Sequence, residues 1–515
     1  MSHQFSTYGI CYVRSAKNLR MIREKEFERV SMATQSINPR TGEPFGPVFD
    51  DTSPGDIEKI ISEAKIGMSA WSAASIAKRA EALDSIASAL DGHVADLVEI
   101  ADLETGLGVP RLTGEVGRTT YQIREFAKAI RSGQFVSPEV DLAVDAPLPV
   151  GHPELIRAVS PLGIVVVFGA NNFPFAFSVL GGDSASALAA GCAVIAKAHP
   201  SHPQTSTKVY QLATRALAEQ GFPAGIFSLI HGVGAGVAVL ESEAVRAGAF
   251  TGSRAGGRAL FDIAQARETP IPFYGELGSV NPVVVLKSGL TDPKAFASAY
   301  LDSLLMGNGQ FCTNPSVLFV PAESDVISEI DAQIANRTAT PFLSPASKNA
   351  HDKNRARLAA LLNTDPTIGK CPDDGGIYSS PGVIKTTISK ALAEPDVLTT
   401  ECFGPTGLLI SYSSTSELLS MIQQMEGALV GSVFAQANDP SAIDVCKVIA
   451  GKVGRVSWNA WPTGVAVSVG QQHGGPYPAS TSSIHTSVGL HSITRFLRPV
   501  TYQNLPREIA DQIIH

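Results

Sequence analysis

The sequence is poor in charge and has no long apolar run. Charged residues make up 17% of the 515 residues and hydrophobic residues 44%, a balance that excludes a disordered chain or a coiled coil. No apolar run approaches the roughly 20 residues that a membrane-spanning helix needs. The net charge of −8 argues against a general nucleic-acid binder. We therefore expect a globular protein with neither a membrane nor a nucleic acid among its partners.

Cysteine is also scarce, and none of it is arranged for metal binding. The chain has no C-x-x-C pair and no cysteine with a histidine at metal-ligand spacing, so neither a disulfide framework nor a metal site is predicted. Unpaired thiols are typical of the reducing cytoplasm, where we expect the protein to reside. The six cysteines are Cys11, Cys192, Cys312, Cys371, Cys402 and Cys446.

Residues 1–35 lack the apolar segment of a secretory signal. They carry four basic residues before the first acidic one, Glu24. A transit peptide is the alternative interpretation, but we expect an N-terminal extension on the surface, outside the folded domains.

The segment after this extension has the periodicity of helices. Residues 56–74, 76–106 and 115–131 place apolar side chains at helical spacing with charges on the other face, and we expect one helix in each. Residues 134–156 alternate around Val140 and are broken by prolines, which is typical of a protruding hairpin.

From residue 157 the pattern indicates a parallel sheet. The run at 164–168 is continuously apolar, as expected of a strand buried on both faces. Helices at 176–190, 204–220 and 254–266 then alternate with strands at 193–196, 226–230, 249–251 and one ending near Tyr274. A second alternating region spans 281–462, with strands at 283–286, 317–320 and 408–410. The predicted fold class is therefore α/β, with two doubly wound domains that bind ligands at the carboxyl ends of their strands.

Two features at predicted strand ends suit a phosphate-bearing ligand. The glycine-rich stretch at 250–257 opens a helix, whose free N–H groups and positive dipole end attract phosphate. It matches neither G-x-G-x-x-G nor the P-loop, so simple tight packing remains the alternative. Lys197 ends a strand, where it can reach a ribose or phosphate, although lysines are also common on surfaces.

Two further residues are candidates for catalysis. Cys312 lies in a loop with glycines on one side and polar residues on the other, and such a loop can leave a thiol accessible and stabilise its thiolate. Glu276 stands between apolar residues and glycines, where burial would raise its pKa toward that of a general base; an ordinary exposed glutamate is the alternative. We expect Cys192 and Cys446, in Ala- and Val-rich elements, to be buried apolar residues.

Together these segments resemble the NAD(P)-dependent aldehyde dehydrogenases from about residue 36 onward. Five motifs occur in the order found in that family. They are Asn172-Phe173-Pro174, Phe250-Thr251-Gly252-Ser253, Glu276-Leu277-Gly278, Gly309-Gln310-Phe311-Cys312 and Glu401-Cys402-Phe403-Gly404-Pro405.

The resemblance implies a role for each motif. Cys312 would be the nucleophile, Glu276 the general base that activates water, and Asn172 a donor to the oxyanion. Glu401 would contact the nicotinamide ribose. The residues expected to bind the cofactor are Lys197, His199, Gly252, Ser253, Gly257, Leu277, Glu401 and Phe403.

One departure from the family pattern bears on the choice of cofactor. Where the family commonly has Lys-Pro-Ser/Ala-Glu, this chain has Lys197-Ala198-His199-Pro200 and no carboxylate. An acidic residue at this place holds the 2′-hydroxyl of NAD and repels the 2′-phosphate of NADP. Its absence favours NADP, with NAD also possible.

Several segments, including 197–203, 310–315 and 495–500, are similar to a narrower branch of the family. That branch contains the α-ketoglutaric semialdehyde (2,5-dioxovalerate) dehydrogenases and the NADP-dependent fatty aldehyde dehydrogenases. Arg118 falls on a helix that lines the substrate tunnel in the family, and an arginine there would pair with a substrate carboxylate. This favours the keto-acid aldehyde, with Arg118 and Phe173 as substrate-binding residues. A solvated Arg118, a fatty or aromatic aldehyde substrate, and a catalytically silent relative are the alternatives.

The resemblance also implies a domain plan. Residues 36–133 and 158–275 would form the cofactor-binding domain and 276–484 the catalytic domain. Residues 134–157 and 485–503 would form an oligomerisation arm, because an exposed hairpin edge pairs readily with a second chain. The expected assembly is a homodimer or homotetramer.

Overall fold

The computed structural model of the chain describes residues 33–513, so Cys11 and nearly all of the expected extension at 1–35 lie outside the described residues. Its strands alternate with helices along most of that range. The strands are β1 (Thr34–Ile37), β2 (Pro44–Phe49), β3 (Glu139–Asp141), β4 (Leu155–Pro161), β5 (Ile164–Phe168), β6 (Ala193–Lys197), β7 (Phe227–Ile230), β8 (Val245–Thr251), β9 (Phe273–Glu276), β10 (Pro282–Val285), β11 (Val317–Pro321), β12 (Thr367–Ile368), β13 (Gly382–Thr387), β14 (Thr406–Tyr412), β15 (Ala428–Phe434), β16 (Val453–Trp458) and β17 (Leu497–Gln503).

The α-helices of the described range precede or follow these strands. They are α1 (Pro54–Ala73), α2 (Ile76–Asp91), α3 (Val94–Thr105), α4 (Val109–Arg131), α5 (Gly182–Ala190), α6 (Pro203–Glu219), α7 (Val233–Glu241), α8 (Arg254–Ala266), α9 (Pro293–Leu305), α10 (Val326–Ile334), α11 (Pro345–Leu362), α12 (Ile388–Ala393), α13 (Thr415–Gln424), α14 (Ala442–Ala450) and α15 (Arg507–Ile513). Among the residues at 33–513, none of these helices is both long and apolar enough to cross a bilayer.

The first large sheet has five parallel strands in the order β7-β6-β5-β8-β9. Its central strand β5 is buried at every position, because helices cover both faces of the sheet. The strand order reverses between β5 and β8, so ligands are expected beyond the carboxyl ends of these strands. This is the doubly wound α/β arrangement that the sequence predicts.

The second sheet has seven strands in the order β12-β13-β14-β11-β10-β15-β16, all parallel except for β12. Strands β10 and β11 are again nearly all buried, and apolar clusters lie on both faces. The class of fold predicted from sequence is therefore confirmed, with two such sheets along the chain.

A third sheet is antiparallel and much more exposed. Strand β4 pairs with β3 on one edge and with β17, more than 300 residues later, on the other. The connection between β3 and β4 carries the exposed apolar side chains Leu142, Leu148 and Val150. The hairpin predicted at 134–156 is thus present, although its second strand continues to Pro161 to pair with β17.

Several predicted helix boundaries were wrong, each for a local reason. The helix expected at 76–106 is two helices, Ile76–Asp91 and Val94–Thr105, each followed by a capping glycine. Gly106 adopts the left-handed conformation, with a φ of 65°, which favours glycine at the end of a helix. The helix expected to begin at 176 begins at Gly182, after a turn in which Gly182 N–H bonds the Ala176 carbonyl. The helix at 115–131 starts earlier, at Val109, where Pro110 occupies the first turn.

The buried-cysteine prediction was correct for Cys192 and wrong for Cys446. Cys192 is buried in the apolar cluster that packs against the first sheet. Cys446 is only partly buried, because α14 presents one face to solvent and Cys446 sits at its margin.

Candidate active site

The segment that carries Cys312 is a tight loop between α9 and β11. Gly307, Asn308 and Gly309 all have positive φ values, of 57°, 57° and 68°. A Cβ on Gly309 would overlap the Gly404 carbonyl, so only glycine fits there. The loop leaves Cys312 partly exposed between buried neighbours.

Three reactive side chains from distant parts of the chain meet at this loop. The Cys312 Sγ lies 3.6 Å from Nε2 of His473. The same nitrogen lies 2.9 Å from Oε1 of Glu276, which comes from the end of β9. His473 and Glu276 are almost fully buried. Nε2 of His473 therefore lies between the Cys312 thiol and the Glu276 carboxylate, so this one nitrogen can exchange a proton with either group.

His473 is a residue that sequence reasoning missed. It stands in the irregular segment after β16, next to Gly474 and Gly475, and is 161 residues from Cys312 along the chain. A histidine beside a pair of glycines was the available signal, but nothing in its spacing links it to the cysteine.

The predicted direction of the Glu276 pKa was wrong. Burial raises it, but the adjacent His473 and the hydrogen bond donated by the Ser487 hydroxyl more than offset this and hold the pKa of Glu276 below its ordinary value. Glu276 is therefore ionised at neutral pH and able to balance a positive charge on His473.

The expectation that the loop stabilises the Cys312 thiolate was also wrong. Burial raises the pKa of Cys312 well above its ordinary value, and the negative charges of Glu276 and Glu401 raise it further. The backbone N–H of Thr313 lowers it only in part. Cys312 is thus a neutral thiol at rest, and its proton needs an acceptor before it can attack.

Asn172 is held beside the nucleophile loop. Its side-chain amide donates a 3.0 Å hydrogen bond to the Gln310 carbonyl, two residues before Cys312. The backbone carbonyl of Asn172 accepts a hydrogen bond from the guanidinium of Arg111 on α4. An amide has two N–H donors, so one remains for a developing oxyanion.

Glu115, which sequence analysis did not single out, fixes the loop after Asn172. The carboxylate is buried and accepts hydrogen bonds from the backbone N–H groups of Phe175 and Ala176, at 2.9 and 3.0 Å. Burial raises the pKa of Glu115, and Arg111 opposes that shift.

An aromatic cluster adjoins the nucleophile and includes the predicted Phe173. Its ring centroid lies 5.1 Å from those of both Phe177 and Phe311. The Arg118 guanidinium stacks 5.0 Å from the Phe177 centroid. Through Phe177 and Phe311, Phe173 and Arg118 are therefore brought close to the Cys312 loop.

Arg118 is not a freely solvated arginine. It is half-buried and donates from Nη2 to the Val465 carbonyl at 3.1 Å. Burial lowers the pKa of Arg118, whereas the negative charge of Glu115 and that of the Cys312 thiolate raise it.

Lys197, His199, Gly252, Ser253, Gly257 and Leu277 lie at or just after the carboxyl ends of strands in the first sheet, whereas Glu401 and Phe403 precede β14 of the second sheet. Lys197 ends β6 and is buried, which lowers its pKa to about 8, although Asp51 opposes this. His199 is half-buried, and burial together with the Lys197 charge lowers its pKa. Within residues 33–513 no carboxylate lies within 4 Å of Lys197, so this buried cation suits an anionic or hydroxyl-bearing ligand.

The glycine-rich turn after β8 is built for close approach. Ser253 caps α8 by accepting from the Gly256 N–H at 3.2 Å, and the Gly252 N–H donates to the Glu276 carbonyl. A Cβ on Gly257 would overlap the buried Leu277 side chain, so the glycine also serves packing. The remaining N–H groups at this helix start fit a phosphate.

Glu401 faces the segment that follows Glu276. Its Oε1 accepts from the Ser279 N–H at 3.2 Å, and a Cβ on Gly278 would overlap its other oxygen. Burial raises the pKa of Glu401 to about 7. Glu401, Gly278, Ser279 and Met425 line one cavity. Phe403, two residues after Glu401, is half-buried. The lining has two carboxylates, of which Glu426 pairs with Arg254 and Glu401 does not. The Glu401 carboxylate is an acceptor that suits ribose hydroxyls, so the residues present fit a dinucleotide.

A doubly wound sheet with a phosphate-type turn, joined to a Cys–His–Glu cluster, fits a dinucleotide-dependent enzyme with a reactive cysteine. The chain belongs to the aldehyde dehydrogenase family, whose family profile matches residues 27–501. It is therefore an NAD(P)-dependent oxidoreductase that converts an aldehyde to a carboxylate.

Individual relatives agree with this assignment. The chain is 40% identical over 492 residues to α-ketoglutaric semialdehyde dehydrogenase 2 of Azospirillum brasilense, covering 93% of this chain and 92% of the relative. It is 35% identical over 491 residues to α-ketoglutaric semialdehyde dehydrogenase of Acinetobacter baylyi, with the same coverage. The NADP-dependent glyceraldehyde-3-phosphate dehydrogenase from Bacillus halodurans, solved with NADP, shares the fold with a TM-score of 0.78 at 22% identity, over 92% of this chain and 95% of that one.

Proposed function

We propose that the protein oxidises α-ketoglutaric semialdehyde (2,5-dioxopentanoate) to 2-oxoglutarate. The half-buried Arg118 beside the nucleophile carries this proposal, because a cation near the reacting carbon suits a substrate that ends in a carboxylate. The names of the two relatives support the same substrate. A fatty aldehyde would call for an entirely apolar tunnel, so that alternative is less well supported.

In the proposed mechanism, His473 first removes the proton from Cys312. The 3.6 Å contact between Nε2 and Sγ is suited to this transfer, and the ionised Glu276 balances the imidazolium that forms. The thiolate attacks the aldehyde carbon to give a thiohemiacetal. The free N–H of the Asn172 amide and the Cys312 backbone N–H meet the oxyanion as its charge develops.

A nicotinamide cofactor, when bound, would supply the acceptor for the hydride of the thiohemiacetal. Lys197, His199, Gly252, Ser253, Gly257, Leu277, Glu401 and Phe403 would hold this cofactor. Lys197 and the absence of an acidic residue from Lys197-Ala198-His199-Pro200 support NADP as the preferred cofactor, with NAD as an alternative.

Hydrolysis of the resulting Cys312 thioester completes the cycle. Glu276 is buried, ionised and close to Sγ, so with His473 it can take a proton from the attacking water. The products are the free carboxylate and the regenerated thiol.

We also propose the domain roles and assembly that follow from the family. The unit around the first sheet would bind the cofactor, and the unit around the second would carry catalysis. The exposed apolar residues between β3 and β4 support the three-stranded sheet as an arm that pairs subunits into a dimer or tetramer.

Steady-state kinetics on a small panel of aldehydes tests the substrate and the cofactor together. With α-ketoglutaric semialdehyde we expect kcat/KM to exceed that for pentanal by at least about tenfold, because only the acid can pair with Arg118. NADP should give a higher kcat/KM than NAD. Equal or faster oxidation of pentanal or of a long-chain alkanal would contradict the substrate, and a preference for NAD would contradict the cofactor.

The variant His473→Ala tests the proposed base. We expect kcat/KM at pH 7 to fall at least about 100-fold, because the neutral Cys312 thiol then has no proton acceptor. The remaining rate should rise about tenfold per pH unit through the neutral range, since it depends on the free thiolate whose pKa is raised. Added imidazole should restore part of the activity.

The surface variant His491→Ala is the matched control and should match the parent enzyme. A His473→Ala enzyme with the parent's pH profile, unaffected by imidazole, would show that His473 is not the base.

A further inference from the structure

A second arginine, Arg455, is near enough to Cys312 for a charge on that residue to act on it, and among residues 33–513 no carboxylate forms an ion pair with it. It is half-buried on β16. Burial lowers its pKa, whereas the charge of the Cys312 thiolate raises it, as it does for Arg118. Sequence analysis did not single out Arg455, and nothing in its surroundings along the chain distinguishes it from a surface arginine.

One loop holds both guanidinium groups. The carbonyls of Gly464 and Pro462 accept from Nη1 and Nη2 of Arg455, at 2.9 and 2.5 Å. The next carbonyl along, that of Val465, accepts from Nη2 of Arg118. Three carbonyls within the four residues 462–465 thus bind the two side chains. This short loop holds Arg118 and Arg455 near each other and sets their separation.

Each guanidinium also retains an unused donor. Nη1 of Arg118 and Nε of Arg455 are inaccessible to solvent, and neither has a hydrogen-bond partner among residues 33–513. Within the described part of the chain, no carboxylate lies within 4 Å of either side chain, whereas the buried Arg495 pairs with Asp183 at 2.8 Å. Charges withdrawn from water are normally paired, so two half-buried guanidinium groups with unused buried donors and no carboxylate within 4 Å in the described residues indicate a site for an anion that comes from outside the chain.

We infer that Arg118 and Arg455 together form the subsite for the carboxylate end of the substrate, with Arg455 as a second specificity-determining residue. This inference rests on the proposed function. A 2-oxo acid presents two carboxylate oxygens and a neighbouring carbonyl oxygen, which are the acceptors that two anchored guanidinium groups can share. The class of substrate is therefore a short aldehyde with a terminal 2-oxo acid.

The variants Arg455→Met and Arg455→Lys test this assignment with two five-carbon substrates. The measured quantity is the ratio of kcat/KM for α-ketoglutaric semialdehyde to kcat/KM for pentanal. We expect Arg455→Met to lower this ratio at least about 30-fold, mainly through KM for the acid, because the charged hydrogen bond between Arg455 and the substrate carboxylate is lost. Arg455→Lys should retain part of the ratio, since the charge stays and the planar fork is lost.

The combination of Arg118→Met with Arg455→Met should lower the ratio by less than the product of the two single effects, because both residues bind one anion. The exposed Arg215→Met variant is the matched control and should leave the ratio unchanged.

The outcomes separate the inference from the proposed function. A parent enzyme with no preference for the acid would overturn both. A parent that prefers the acid, with an Arg455→Met variant that loses activity equally on both substrates, would leave the function standing and overturn the subsite. In that case Arg455 would serve only to hold the loop at 462–465.

Discussion

Replacement of Cys312 by serine is expected to lower kcat for aldehyde oxidation by at least about 10,000-fold, with little effect on cofactor binding. The loss is large because Cys312, His473 and Glu276 act as one unit in the proposed mechanism, and the other two residues contribute little once the nucleophile is removed. Serine is the closest available replacement in size, so the structure of the loop should be preserved. The measurement is steady-state reduction of the cofactor, together with cofactor titration by fluorescence.

The exposed Cys371→Ser variant controls for the loss of a thiol. It should retain the parent's activity. A Cys312→Ser enzyme with more than about a tenth of the parent's kcat would contradict the whole assignment of the nucleophile.

Replacement of Glu276 by glutamine is expected to stop the cycle at the thioester. The first turnover should still release reduced cofactor, so rapid mixing should show a burst that approaches one equivalent per active site. The following steady-state rate should be at least about 1,000-fold below the parent's, because the amide cannot accept a proton from water. Acid quenching and mass spectrometry should detect the acyl group on Cys312.

The same variant should change the reactivity of the thiol. Glu276 raises the pKa of Cys312 through its negative charge, so removing that charge lowers the thiol's pKa. Alkylation by iodoacetamide at neutral pH should therefore be faster in Glu276→Gln than in the parent. The exposed Glu268→Gln, on the loop before β9, is the control and should change neither quantity. A variant with no burst and a normal steady-state rate would exclude Glu276 as the base.

The two large α/β sheets were predictable because strands buried on both faces occur as continuous apolar runs in the sequence. Strand β5 and helix α8 have the boundaries expected from sequence, since a continuous apolar run and a serine-capped amphipathic segment are local signals. The start of α5 was missed because a turn anchored by Gly182 competes with the helix, and an alanine-rich pattern alone does not reveal that turn.

The chemistry at Glu276 illustrates a different limit. Its neighbours in sequence are apolar, and they suggested a raised pKa. In the folded protein His473 lies 2.9 Å away and reverses the shift. The opposite holds for Cys312, whose local loop suggested a stabilised thiolate, but whose spatial neighbours are two carboxylates. Charge effects depend on distance in space, and sequence separation does not report it.

Cys312, Glu276 and Asn172 could be identified as candidate site residues from the sequence alone, because each stands in a short motif of characteristic residues at fixed spacing. Only the tertiary structure decided that His473 adjoins Cys312, that Arg118 and Arg455 share the carbonyls of one loop, and which groups ionise at neutral pH. The reason is that proton affinity and anion binding arise from groups that meet across hundreds of residues, and it is the packing of the two sheets that brings those groups together.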